Sequence, residues 1–379
     1  MIRGTTGVGH PSPTLLVLSA SVGAGHNRAA EAIQETARLL FPGLGVDHRD
    51  TLDFVDPAFR AFYQKSYLTL VNRMPEAWGY FYSLSDRKRG KSRFVRLSQL
   101  LDRLEHRSLA AFVRRARPAA IVCTHFLPMN MLLSGARARP IPIWTVLTDF
   151  DAHYFWINPK ATGYFVGNDE VRWQLHRKGI PLDRIRVTGI PVHPAFSTVG
   201  KAKSAREEKT VLVLSGGLGV GEIESIVKTL LQMPERFTLV AIAGRNPRLL
   251  RGLEKLIPDA PRPLRVFGFV TNMEEHLAAA NLVVTKAGGL TTNECLVTGT
   301  PMVIFAPIPG QEERNCDYLL EHGAALKAKD LATLEYKIAQ ILSDQALYEW
   351  LRESALRLAR PHAARQILEV VCGAPPALA

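Results

Sequence analysis

The chain has 379 residues, 47% of them hydrophobic and 22% charged, which is enough apolar material for two or three ordinary domain cores and too much for a disordered chain. Four widely spaced cysteines, Cys123, Cys295, Cys316 and Cys372, form no Cys-x-x-Cys pair, which excludes a disulfide scaffold and predicts a reducing, cytosolic setting. A formal net charge of +12 predicts an anionic partner, nucleic acid or an acidic lipid surface, while no apolar run reaches the ~18 residues that span a bilayer.

Taken in order, Thr14 to Ser21 reads as a buried parallel strand. Val22-Gly23-Ala24-Gly25-His26-Asn27-Arg28 then turns into a helix that carries Ala29, Ala30, Ile33 and Ala37 inward. The turn fails the dinucleotide fingerprint because Arg28 stands at the third glycine, and it lacks the Gly-Lys-Ser/Thr of a P-loop. It does set His26 at the carboxyl edge of a first sheet, where a group titrating near neutral pH can take a proton; a histidine at a helix start also serves as a cap or packing residue. Further on, Arg87-Lys88-Arg89-Gly90-Lys91-Ser92-Arg93 follows an aromatic stretch from Phe59 to Tyr82. Arginines beside aromatics suit a bilayer headgroup layer, and the same text fits two core helices joined by a solvated basic loop.

Ala119 to His125 and Ile141 to Leu147 are the next strands, the latter running into Thr148-Asp149-Phe150-Asp151-Ala152-His153-Tyr154-Phe155-Trp156. Asp149 is a candidate to orient a histidine or act as an alternative base, and it also fits a plain strand-end turn. Gly163 to Gly167 and Ile185 to Pro191 are strands flanking a helix from Asp169 to Lys178. The polar stretch Pro194 to Lys209 is the expected linker. His125 and His153 have no third partner at metal-ligand spacing, so no metal site is predicted.

The chain restarts with the strand Thr210 to Ser215 and the loop Gly216-Gly217-Leu218-Gly219-Val220-Gly221, a phosphate-cradle candidate opening a helix over Glu222 to Leu231. Strands follow at Phe237 to Ala243 and at Leu264 to Val270, and Met273 begins a helix. Val283 to Cys295 reads as strand, turn and helix, with Lys286, Gly288, Gly289, Leu290 and Thr291 at the turn. An uncapped helix start draws an anion there, while Thr291 and Glu294 also fit a Thr-x-x-Glu capping box. Pro301 to Phe305 and then Pro309-Gly310-Gln311-Glu312-Glu313-Arg314-Asn315 repeat the strand, turn and helix order, so both turns open on one carboxyl edge. A helical tract covers Leu331 to Ala364.

Gly23-Ala24-Gly25-His26, Thr188-Gly189-Ile190-Pro191-Val192, the Lys286 to Glu294 run and Pro309-Gly310-Gln311-Glu312, in that order, resemble the diacylglycerol glycosyltransferase family. This family comprises the monogalactosyldiacylglycerol synthases and processive diacylglycerol glucosyltransferases of glycosyltransferase family 28. It is related to the peptidoglycan N-acetylglucosaminyltransferase that acts on a lipid-linked muramyl peptide. The resemblance implies an α/β fold of GT-B architecture, two Rossmann-like domains with parallel sheets facing a central cleft. The expected boundaries are residues 1–195 for the acceptor and membrane side and 210–345 for the donor side. A helical tract at 346–379 is expected to pack back on the first domain through Tyr348 and Trp350.

It further implies His26 as the general base, Gly25, His153 and Trp156 on the acceptor side, and Phe269-Val270 around a uracil ring. The diphosphate of a UDP-sugar is expected on Gly216, Gly217, Gly219 and the Gly289 to Thr291 helix start. Glu294 is expected on the ribose hydroxyls, Gln311 and Glu312 on those of the sugar, and Lys286 and Asn315 nearby. The expected reaction is inverting transfer of a hexose from UDP-glucose or UDP-galactose to diacylglycerol or a glycosyl-diacylglycerol, the UDP-sugar being a co-substrate and no cofactor being required. Such a protein is expected to sit peripherally on the inner face of the cell membrane, with Arg87, Lys88, Arg89, Lys91 and Arg93 against an anionic surface. The alternatives are a UDP-N-acetylglucosamine transferase to a lipid-linked peptidoglycan precursor, a UDP-sugar epimerase or a non-catalytic anion binder. Nucleic acid is disfavoured because no nucleic-acid motif accompanies the charge.

Overall fold

A computed structural model of the chain describes residues 14–58, 60–61, 107–134, 141–199, 209–214 and 222–373. They form two parallel sheets of six strands, each with helices on its faces. The first contains β1 (Thr14–Ser19), β2 (Gly45–Asp50), β3 (Ala120–Cys123), β4 (Ile143–Val146), β5 (Gly163–Val166) and β6 (Ile185–Val187), in the spatial order β2-β1-β3-β4-β5-β6. The second contains β7 (Thr210–Leu214), β8 (Thr238–Ile242), β9 (Leu264–Phe267), β10 (Leu282–Thr285), β11 (Met302–Phe305) and β12 (Ala325–Ala328), in the order β12-β11-β10-β7-β8-β9. Central strands such as β1, β3, β7 and β10 are apolar almost throughout because helices cover both faces of a parallel sheet.

Strand order fixes where each sheet can receive a ligand. In the first sheet the chain leaves β1 for β2 on one side and returns to β3 on the other; in the second it leaves β7 for β8 and β9 and returns to β10. The helices after the two diverging strands part at these switch points, which opens a crevice beyond the carboxyl ends of β1 and β3 in one unit and of β7 and β10 in the other.

Two compact units are formed by 1–194 with 362–379, and by 195–361. In the first, Leu16 and Leu18 of β1 point into one core layer and Leu15 and Val17 into the other. That second layer is closed by Ala30, Ile33 and Ala37, spaced along one face of the helix Ala24–Leu40, and by Ala364, Ile367, Leu368 and Val371 of the last helix, Ala363–Cys372. Each large aliphatic side chain buried there contributes about 1.5–3 kcal/mol before chain entropy is charged against it.

The C-terminal tract therefore divides. The helix Gln345–Leu358 places Tyr348 and Leu351 in the core of the second unit. Trp350 covers the turn at Gly323, where an added Cβ would fall 2.4 Å from its ring. Tyr348 and Trp350, expected against the first domain, thus pack within the second unit, and it is the following helix that belongs to the first. Within the expected linker, Ala195–Thr198 is a helical turn with Phe196 buried, and it belongs to the second unit.

Candidate active site

At the carboxyl edge of the first sheet, Gly23 precedes the first helix with φ 134° and ψ 153°, a backbone region essentially closed to residues with a side chain. That turn puts Gly25 and His26 in the first helical turn, at the mouth of the crevice between β1 and β3. His26 Nδ1 donates to the Thr124 carbonyl at 2.9 Å and lies 3.0 Å from Thr148 Oγ1, so the ends of β3 and β4 both grip the ring. In return the Thr124 hydroxyl donates to the His26 carbonyl at 2.9 Å. Burial holds the His26 imidazole down to about 4, opposed by its bond to the Thr124 carbonyl.

His125 meets His26 edge to face, ring centres 4.5 Å apart, and its Nδ1 accepts the Leu127 N–H at 3.0 Å. Its own basicity is pushed well below that of a free histidine, by burial first and by His26 second. Phe126 lies 4.2 Å from His125, Phe155 lies 5.3 Å from Phe126, and His153 lies 4.5 Å from Phe155, ring centre to ring centre. Trp156 is 6.2 Å from both His26 and His125. The structure thus gathers three of the expected residues, His26, His153 and Trp156, into one aromatic wall. The wall is fixed from behind: His153 Nδ1 caps the short turn Tyr154–Trp156 by accepting the Phe155 N–H, and Asn130 donates to the Phe155 carbonyl. Asp149 is buried beside Thr148 in sequence, but Thr124 and Thr148 supply the contacts to His26 Nδ1 described above.

In the second unit the carboxyl edge is built from backbone. The helix Gly289–Thr298 begins at Gly288 with no side chain capping it, so Thr291 and Glu294 do not form the capping box their spacing allows. Thr291 lies in the first turn, and Glu294 is buried further along the same helix. Ala287 just after β10 and Ala306 just after β11 both have positive φ, 56° and 47°, so neighbouring turns at one edge hold a conformation costly for alanine. Side chains of the next helix, Gln311–Glu321, fasten these turns: Asn315 Nδ2 donates to the Ala287 carbonyl at 3.0 Å, and Glu312 accepts the Ile308 N–H at 2.8 Å. Gly310, at φ 88°, donates its N–H to Glu313 at 2.9 Å. Burial lowers the Lys286 ammonium pKa, and the Glu312 carboxylate opposes that shift. Leu214, Val284, Lys286, Phe305 and Ala306 line a hollow at the ends of β7, β10 and β11.

Phe269 and Val270 follow β9, Phe269 half-exposed with the Arg245 guanidinium 4.3 Å above its ring. Gly216, Gly217 and Gly219 lie outside the described residues, as do Arg87, Lys88, Arg89, Lys91 and Arg93. Among the described residues no three His, Cys, Asp or Glu side chains are grouped as metal ligands would be. Sequence reasoning passed over Thr124, Thr148, Arg245 and Glu313. A threonine ending a strand carries no distinctive signal, and only the parallel order of β1, β3 and β4 shows that two of them converge on one imidazole.

The model of the monogalactosyldiacylglycerol (MGDG) synthase family matches residues 26–192, and that of the glycosyltransferase family 28 C-terminal domain matches residues 210–363. Among curated proteins, a processive diacylglycerol beta-glucosyltransferase of Bacillus cytotoxicus is 26% identical over 371 residues, covering 95% of this chain and 93% of the relative. Among solved structures, MurG of Acinetobacter baumannii superposes with a TM-score of 0.62 at 15% identity, covering 95% of this chain and 99% of that one. A UDP-GlcNAc 2-epimerase from Neisseria meningitidis, bound to UDP-GlcNAc, superposes at 0.59 with 13% identity over 95% and 99% of the two chains. The fold is therefore of the GT-B class.

Proposed function

We propose that the chain is a diacylglycerol glycosyltransferase of the glycosyltransferase family 28 type, which moves a hexose from a UDP-sugar to the hydroxyl of diacylglycerol or a glycosyl-diacylglycerol; the two family models that match successive parts of the chain and the 26% identical relative support the reading. The observation that carries the reading is His26 fixed at the switch point of the first sheet with its Nδ1 bonded to the Thr124 carbonyl, where a proton acceptor can meet an alcohol. In the second unit the uncapped start of the helix Gly289–Thr298 presents N–H groups and the positive end of a dipole to the diphosphate. Glu294 receives the ribose hydroxyls, Phe269 and Val270 the uracil, and Gln311 the hydroxyls of the sugar. Glu312 and Asn315 act through the turns they fasten.

His26 takes the proton of the acceptor hydroxyl as that oxygen bonds to the anomeric carbon. The bond from that carbon to the diphosphate oxygen breaks, and UDP leaves with the electron pair. One displacement inverts the centre. Fixed N–H groups aimed at the departing diphosphate stabilise the charge that grows there. The work is done at the cytoplasmic face of an anionic membrane, a reading supported by the net charge of +12. No helix among the described residues is long and apolar enough to cross one.

The test supplies the purified chain with vesicles carrying diacylglycerol or a lipid-linked muramyl peptide and with each UDP-sugar in turn, glucose first because of the name its relative bears, and identifies products by mass spectrometry. A hexosyl-diacylglycerol with inverted anomeric configuration is expected. Transfer only of N-acetylglucosamine to a lipid-linked muramyl peptide, or formation only of a 2-epimer of the donor, overturns the reading.

A further inference from the structure

His26 Nδ1 has two oxygens within hydrogen-bond reach, the Thr124 carbonyl at 2.9 Å and Thr148 Oγ1 at 3.0 Å. A carbonyl has lone pairs and no proton, so the bond to Thr124 requires the hydrogen on Nδ1 and leaves the lone pair on Nε2. The Thr148 hydroxyl, facing a nitrogen already committed as donor, accepts a share of the same hydrogen. Thr124 adds a second restraint from its own side chain, whose hydroxyl donates to the His26 carbonyl. The ring is therefore fixed in both tautomer and orientation by uncharged oxygens from two neighbouring strands.

We propose that Thr148, together with the Thr124 carbonyl, is the positioning partner of His26, fulfilling with neutral oxygens the task that a carboxylate performs in other histidine-dependent sites. In those sites the partner orders the tautomer and stabilises the imidazolium formed when the other nitrogen takes a proton. A carboxylate would also make the resting imidazole more basic, whereas hydroxyl and carbonyl dipoles let burial keep it unprotonated. His125 meets the ring at its edge and accepts the Leu127 N–H on Nδ1, so its own proton sits on Nε2 and it is a second neutral imidazole. The other titratable groups on the surrounding elements are Arg28, Glu31, Glu35 and Arg38 on the same helix, Asp47, His48, Arg49 and Asp50 on β2, Cys123 on β3, and Asp149, Asp151, His153 and Tyr154 after β4.

This inference rests on the transfer reading above for its kinetic arm only. Thr148→Val, which removes the hydroxyl and keeps the shape, is expected to lower kcat about tenfold with KM for the UDP-sugar unchanged, and Thr148→Ser to restore most of the rate. An unchanged kcat in the valine variant, or a serine variant as slow as the valine one, overturns it. The second arm needs no substrate: nitrogen-15 spectra of the histidine-labelled wild-type chain at neutral pH are expected to show His26 protonated at Nδ1 and bare at Nε2. The opposite tautomer, or an averaged mixture, overturns the proposal even if the variants do not fold. A wild-type chain that glycosylates no lipid defeats the transfer reading, and the spectra still decide the tautomer.

Discussion

The two carboxyl edges are made of different material. In the first unit the edge is a set of rings, His26, His125, Phe126, His153, Phe155 and Trp156, held by ring contacts and side-chain hydrogen bonds. In the second it is backbone, two left-handed alanines and an uncapped helix start fastened by Asn315, Glu312 and Glu313. Proton transfer needs a group that changes protonation state, so it uses a side chain; holding a diphosphate needs fixed partial charges, and main-chain N–H groups provide them without titrating. The same sheet topology thus yields one edge suited to chemistry and one suited to binding.

If that division is right, His26→Ala breaks only one side of it: transfer should fall about 10²–10⁴-fold while UDP affinity, read by calorimetry, stays unchanged. Persistent turnover would remove His26 from the reaction. Leu368→Ala probes the packing under the first edge, because this fully buried residue of the last helix lies in the core behind β1. A loss of about 2–5 kcal/mol is expected in denaturant unfolding, and a loss below 1 kcal/mol would detach that helix from the first unit. Glu294→Ala should do the reverse of His26→Ala, weakening UDP binding by about 1.5–3 kcal/mol with the pH dependence of turnover unmoved. An unaltered affinity would leave Glu294 a merely buried carboxylate.

The smallest effect at neutral pH sharpens the comparison most. His26 ionises at about 4 when folded and near 6.5 when unfolded, so between those values the unfolded chain binds the proton first. Its contribution to stability is fully present above pH 6.5 and is lost as pH falls toward 4, and His125 is shifted the same way. Denaturant titrations at pH 7 and pH 5 should show that loss, and His26→Ala should reduce it. The acid limb of kcat should lie well below pH 6.5.

Much of this architecture was legible in the sequence because buried parallel strands are short apolar runs, and β1, β3, β7, β10 and β11 stand out as such. The strands that escaped notice, β2 with Gly-Val-Asp-His-Arg-Asp and β12 with Ala-Leu-Lys-Ala, are the outermost members of their sheets. An edge strand meets solvent along one side, so polar residues dilute its pattern. His26 was legible because glycines punctuate the turn before it. Thr124 and Thr148 were not, since their meaning comes from strand adjacency over 98 and 122 residues of separation. The destination of the last helix was hidden for a similar reason: its apolar face at Ala364, Ile367, Leu368 and Val371 fits any complementary core, and only contact with Leu15 and Val17 identifies which.

That last helix also dictates an order of assembly. A ribosome delivers β1 to β6 early, yet the layer containing Leu15, Val17 and Ile33 gains its final cover only after the whole intervening unit has emerged. The nascent front half must wait with an oily face uncovered, and the chain's solubility during synthesis is set by how that interval is shielded.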